Sequence, residues 1–206
     1  MELRPLLAVA ATLALPLAVP APARAADLAM TAEEFGLWRD YQGALTDPRV
    51  QKMPEKQRLP AIAKNFKTTE KKLKEAVEKG EKDGEAVAKQ AEELTRNALQ
   101  GTELASRIKE VKVDASAAHV VAYVTWVAAS AETIDKEVCL VATKVIKENP
   151  LASTVKVDVL DSIDDKKKLF DALIGRNNAA KIQEDKIVDF ASTRYIKLFE
   201  KVKRAQ

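Results

Sequence analysis

One cysteine, Cys139, and one histidine, His119, are all that the 206-residue sequence holds of the two side chains behind most nucleophilic, redox and zinc chemistry. A lone cysteine cannot close a disulfide within the chain, so stability must come from packing. A lone histidine leaves no two-histidine zinc motif and no histidine relay, and any metal would need its ligands largely from carboxylates. Glycine is scarce as well. The six present fall at expected turns and helix ends, and none builds the loop that cradles a phosphate. There is no G-x-S-x-G and no C-x-x-C. An excess of one charge is also missing, with 34 Lys and Arg against 31 Asp and Glu. A dedicated nucleic-acid or anionic-membrane surface needs clustered positive charge, and this near-balance argues against both.

What is present begins with an export signal. Met1-Glu2-Leu3-Arg4 is a short charged start, residues 6–19 form an apolar run, and Ala23-Arg24-Ala25 supplies the small side chains a signal peptidase accepts. Pro16 interrupts the run, which is shorter than the roughly 20 residues that span a bilayer. Cleavage after Ala25 is therefore expected, giving a periplasmic or secreted protein with no transmembrane segment in the mature chain. No cysteine lies near the cleavage point for a lipid anchor, and the Ala/Pro-rich signal points to a bacterial envelope. The mature chain has 181 residues with 32 basic and 30 acidic side chains, enough for one domain of ordinary size.

The mature chain opens as helix. Thr31-Ala32-Glu33-Glu34 is a capping box, and Phe35, Trp38, Tyr41 and Leu45 recur on one face of the helix it starts. Asp47-Pro48 starts another helix, and Pro54 and Pro60 bound short pieces. Residues 61–79 read as one or two helices ending at Gly80, and 79–84 as a charged, glycine-flanked turn. Residues 85–100 read as a further helix with Val87, Ala91, Leu94 and Ala98 on one stripe. The two sides of that turn are expected to form a helical hairpin.

The period then changes. Residues 109–115 and 118–127 alternate as strands, 131–148 return to an amphipathic helix, and 153–160 alternate again. The second segment is apolar on both sides and should be central. The first two should pair as an antiparallel hairpin, and the helix should carry a parallel crossover to the third. Asn149-Pro150 stops that helix. Ser162-Ile163-Asp164-Asp165 is expected to begin a helix carrying Leu169, Phe170, Leu173 and Ile174, and residues 186–203 a last one with Phe190, Ala191, Leu198, Phe199 and Val202. The fold expected is α+β: a helical amino-terminal half, a β-β-α-β unit with a three-stranded sheet, and closing carboxy-terminal helices. The corresponding regions are 26–107 and 108–206, with the option that they share one core.

From residues 85 to 160 the order helix, strand, strand, helix, strand resembles the small BON-type domains of bacterial envelope proteins. That resemblance implies contact with phospholipid. The glycine of the family's second strand would fall within 121–125 and is absent, and Pro150-Leu151-Ala152 stands where a glycine precedes the last strand. No functional residue is carried over.

Each candidate for chemistry has a plainer reading beside it. Residues 61–77 have the rhythm of a helix-turn-helix, with Lys71, Lys72 and Lys74 on the second helix, but Lys67 stands where the turn usually has glycine. Export would also remove the chain from DNA. Cys139 lies among Val138, Leu140 and Val141, where a thiol acts as a small hydrophobe, and His119 sits at the start of the central strand. Asp158, Asp161, Asp164 and Asp165 could surround a calcium ion, yet caps and turns account for such residues without one. Trp38 and Tyr41 read as core rather than as a ligand clamp. No catalytic, cofactor-binding or metal-binding residue is assigned, and no cofactor is expected. The sequence is read as a non-catalytic exported module for an envelope protein or lipid partner, with no nucleic acid expected. The alternative is an exported hydrolase working through carboxylates.

Overall fold

The computed structural model describes residues 28–205 except 117, 118, 165 and 189–191. The export signal therefore lies outside the described residues. Thr31 caps helix α1 (Ala32–Leu45) with both arms of the capping box made: Glu34 N–H donates to Thr31 Oγ1, and Thr31 N–H to Glu34 Oε2. Short helix α2 (Pro48–Gln51) and helix α3 (Glu55–Asn65) follow, then α4 (Glu70–Gln100). Between α3 and α4 the chain turns on Lys67 at φ 54°. Thr68 N–H reaches Ala63 O and Lys67 N–H reaches Lys64 O, the pairing by which a left-handed residue closes a helix.

α4 corrects the expected hairpin. Its 31 residues run unbroken for about 46 Å, straight through Gly80 and Gly84. Those glycines share one helix face and lie against the Trp38 ring. A Cβ on Gly80 would stand 2.1 Å from Trp38 Cγ, and one on Gly84 2.4 Å from Trp38 Cη2. They make a groove for the indole rather than a turn. The first turns of α4, with Leu73, Ala76 and Val77, join Leu37, Ile62 and Ala63 in a small helical core. Its later turns, with Val87, Ala91 and Leu99, join Phe35, Trp38 and the sheet in the larger one.

The fold is α+β, as expected, but the sheet has five strands instead of three. In spatial order they are β1 (Ile108–Ala115), β2 (Val120–Val127), β3 (Thr154–Leu160), β4 (Lys168–Gly175) and β5 (Glu200–Arg204). β1 and β2 form the expected antiparallel hairpin, and helix α5 (Ile134–Glu148) carries the expected parallel crossover from β2 to β3. β4 and β5 are antiparallel additions where helices were expected. Leu169, Phe170, Leu173 and Ile174 satisfy a helical stripe, but the buried set is Phe170, Ala172 and Ile174, a strand's two-residue period. Asp161 N–H donates to Lys167 O where the chain turns to bring β4 back along β3, and a short helix α6 (Arg176–Ala179) follows β4. Residues 193–198 form 3₁₀ turns and 200–204 the edge strand β5, so no long helix closes the chain there. Phe190 and Ala191 lie outside the described residues.

Two polar clusters fix the larger core. Glu137, 1 % exposed, accepts from Trp126 Nε1 at 2.7 Å and Thr133 Oγ1 at 2.9 Å, and pairs with Arg107 Nη1 at 2.9 Å. Buried Asn149 donates to Ala91 O and Thr95 Oγ1 on α4 and accepts from Leu151 N–H and Ala152 N–H. Beside it the Arg176 guanidinium donates to the carbonyls of Ile146, Asn149 and Ala152. These carbonyls, left over where α5 ends, need donors, and Arg176 supplies them from the sheet side.

Candidate functional site

Strand alternation sends Val120, Ala122, Val124 and Trp126 of β2, with Val155, Val157 and Val159 of β3, into the core. The residues between them face the other way and stay half-buried. Register aligns them in rows across the sheet: Tyr123 lies beside Lys156 and Lys156 beside Leu173, while Val121 lies beside Thr154. β5 and the turn of α6 rise along one side of this face. Together they shape a trough of about 1180 Å³, with Val121, Tyr123, Lys156 and Leu173 in its floor and residues 200–203 in its wall. A bulge at Lys201, φ 53°, interrupts the pairing of β5 with β4 between the partners of Asp171 and Leu173.

The charges in the trough are unevenly satisfied. Lys168 Nζ donates to Asp158 Oδ2 at 2.8 Å and to Asp171 Oδ2 at 3.0 Å, and Lys156 Nζ lies 3.8 Å from Asp171. Burial pushes the Asp171 carboxyl up, but the Lys168 hydrogen bond and the Lys156 charge outweigh it and hold the group below its ordinary range. Lys156 also sits over the Tyr123 ring, 5.9 Å from its centroid. Asp158 Oδ1 is buried without a hydrogen-bond partner. Arg176 reaches the trough with its guanidinium already committed to carbonyls, and burial lowers its pKa. Lys201 and Lys203 are exposed and have no ion pair among the described residues.

The residues singled out in the sequence scatter. His119 lies exposed at one end of the trough, its backbone exchanging hydrogen bonds with Ser116 across the hairpin turn. Cys139 is fully buried in α5, its Sγ 3.7 Å from Ser192 O; burial, helped by the Asp135 charge, pushes its thiol up to about 12. It is not brought near His119's end of the sheet. Asp161 and Asp164 accept from backbone N–H groups of their own turn, at Ile163 and Lys166, and Asp165 lies outside the described residues. Among the described residues no group of three His, Cys, Asp or Glu is arranged to hold a metal ion. Lys72 pairs with Glu33, Lys71 with Glu75 and Lys74 with Glu78, so the three lysines placed on the second helix of the helix-turn-helix stretch already face carboxylates. Trp38 is core and Tyr41 packs on the helical cluster.

Sequence reasoning missed Tyr123, Lys156 and the lysines of β5 as neighbours. The sequence signal available for the first two was their outward parity in strands whose alternate residues are apolar. For β5 there was none, because a short all-exposed edge strand carries no apolar period. Among the described residues no helix is long and apolar enough to cross a membrane. Set against known proteins, the chain matches no protein family, no curated protein and no solved structure.

Proposed function

We propose that the protein is an exported, non-catalytic binding module that takes an envelope component or protein partner in the trough on the open face of its sheet. The observation that carries this reading is the contrast between the two faces: one is sealed by α4 and α5, the other is left half-exposed around a trough of about 1180 Å³ with an aromatic and aliphatic floor. Binding sites are concave, with apolar walls and a few placed polar groups. The hydrolase alternative needs a carboxyl group of raised pKa in a cleft. Of the trough's two carboxylates, Asp171, the one in its interior, is shifted the other way and tied to two lysines, which favours the non-catalytic reading.

The test is photo-crosslinking in living cells, with a photoreactive side chain in place of Tyr123 or, as a control, Lys89 on the exposed face of α4. One partner captured from position 123 and not from 89 supports the reading. Equal patterns from both positions would sink it. Amino-terminal sequencing of the cell-derived protein tests export: a chain starting at Ala26 is expected, and an intact Met1 overturns that part.

A further inference from the structure

We infer that the trough receives an extended, acidic segment of a partner protein, held by Lys201 and Lys203 on the rim and by Tyr123 and Leu173 in the floor. The inference rests on the binding-module reading above. Four cationic side chains line the trough, Lys156, Arg176, Lys201 and Lys203, against two carboxylates, Asp171 and Glu200. Asp171 is neutralised from within by Lys156 and Lys168. Glu200 offsets one of the two β5 lysines, so the charge left over is positive and sits on β5, and a chain close to charge balance overall presents it here.

The shape of the occupant follows from the strand that carries those charges. Lys203 stands opposite Asp171 of the trough and Lys201, at the bulge, lines the same trough, so an occupant that meets both charges runs along the strand. β5 ends the strand order, so among the described residues the backbone on its far side pairs with no strand. An acidic segment lying in the trough alongside β5 can set carboxylates opposite Lys201 and Lys203. The same lysines act against another copy of this chain. A two-fold pairing of β5 with itself would bring like charges together, which is how edge strands avoid self-association.

Two other occupants fit less well. A sugar would stack on the open face of Tyr123, but that face already carries the Lys156 ammonium. A lipid surface needs apolar side chains projecting from a convex rim, and Val202, 38 % exposed, is the one large apolar side chain at the rim of a recessed floor.

The experiment uses the mature chain, residues 26–206, and two fluorescein-labelled octapeptides, one alternating Glu and Val and one alternating Lys and Val. Anisotropy titrations are run at low and high salt, beside sedimentation with phosphatidylglycerol vesicles. The acidic peptide is expected to bind, to weaken with salt, and to lose at least about tenfold in affinity in K201E/K203E. K89E should leave it unchanged, and unaltered circular dichroism and Tm show that the rim variant is folded. Equal affinity for both peptides, or no loss in K201E/K203E, overturns the inference. So does preference for the vesicles, which would assign the trough to anionic lipid. If the acidic peptide fails while crosslinks from position 123 persist, only this inference falls. If those crosslinks are absent too, the binding-module reading falls with it.

Discussion

Replacing Gly80 with alanine puts a helix-favouring residue into the middle of a 31-residue helix, and propensity alone predicts a gain of about 1 kcal/mol. The packing predicts the opposite sign. The added Cβ would stand 2.1 Å from Trp38 Cγ and 2.2 Å from Cδ1, far inside contact distance, and the obstacle is a ring rather than a flexible chain end. Trp38 is 5 % exposed and belongs to the larger core, so it cannot swing away without opening that core. Overpacking costs about 1–3 kcal/mol, and displacing a buried indole approaches the roughly 3–5 kcal/mol of deleting it. After the propensity gain, a net loss of about 2 kcal/mol is expected, or roughly 4–8 °C in Tm for a chain of this size. Urea unfolding followed by circular dichroism measures it. Gly43→Ala is the control: it lies in α1 with nothing within 4 Å of its Cβ, and should be neutral or stabilising by up to about 1 kcal/mol. In a Trp38→Ala background the clash is gone, and Gly80→Ala should turn from destabilising to stabilising. If Gly80→Ala stabilises the wild-type chain as Gly43→Ala does, the groove does not exist and the reasoning is wrong.

Lys67→Gly should stabilise the protein by about 0.5 kcal/mol, since glycine removes the left-handed strain at φ 54° but loses more entropy on folding; a denaturant midpoint that falls contradicts the turn geometry. Glu137→Gln leaves Arg107 partly buried beside a neutral amide, and a loss of about 3 kcal/mol with a changed Trp126 emission is expected in the same unfolding experiments. Cys139, with its thiol pushed up to about 12, is about one part in ten thousand thiolate at pH 8 and is buried, so a thiol reagent should label it only as fast as the chain unfolds. The Asp171 carboxyl is held below its ordinary value of 3.8 and the Lys168 ammonium above its ordinary 10.5. Their contribution is therefore present between those values, lost as pH falls through the lowered carboxyl value and lost again as pH rises through the raised ammonium value. Asp171→Asn should destabilise at pH 7 and converge with wild type in acid, as read by Tm across pH.

The elements legible in the sequence were those whose pattern fits one period only. Thr31 and Glu34 announce α1 through a local reciprocal hydrogen bond, β1 and β3 alternate valines with polar residues, and β2 is a short run of valine, alanine and aromatic residues, apolar on both sides. β4 was hidden because Leu169, Phe170, Leu173 and Ile174 fit a helix as well as a strand, and only tertiary pairing along β3 decides that Ala172 is the inward residue. Gly80 and Gly84 misled for a different reason. A glycine tells the backbone nothing about whether its missing side chain serves a turn or a neighbour, and here the neighbour is an indole some forty residues earlier in the chain. Asn149 was read as a helix stop, which it is, but its hydrogen bonds to Ala91 and Thr95 could not be foreseen from position alone.

The candidate site was less legible than the fold because a charge acquires meaning only from its partners. In sequence the basic and acidic side chains form one balanced population. In the fold many are committed to structure: Glu137 to Arg107, Asp135 to Arg204, Glu33 and Glu34 to Lys72 and Lys79, Asp158 and Asp171 to Lys168. Several of these pairs join segments far apart in sequence, so no local window reveals them. What remains on the open face is a cationic rim left by subtraction, on a strand that has no apolar period of its own. The exposed lysines of β5 blunt an edge that a repeated strand could otherwise extend, and the same lysines define the charge of the segment that the trough accepts. Specificity of that kind is a difference between a repelled partner and an attracted one, and both halves of it come from Lys201 and Lys203.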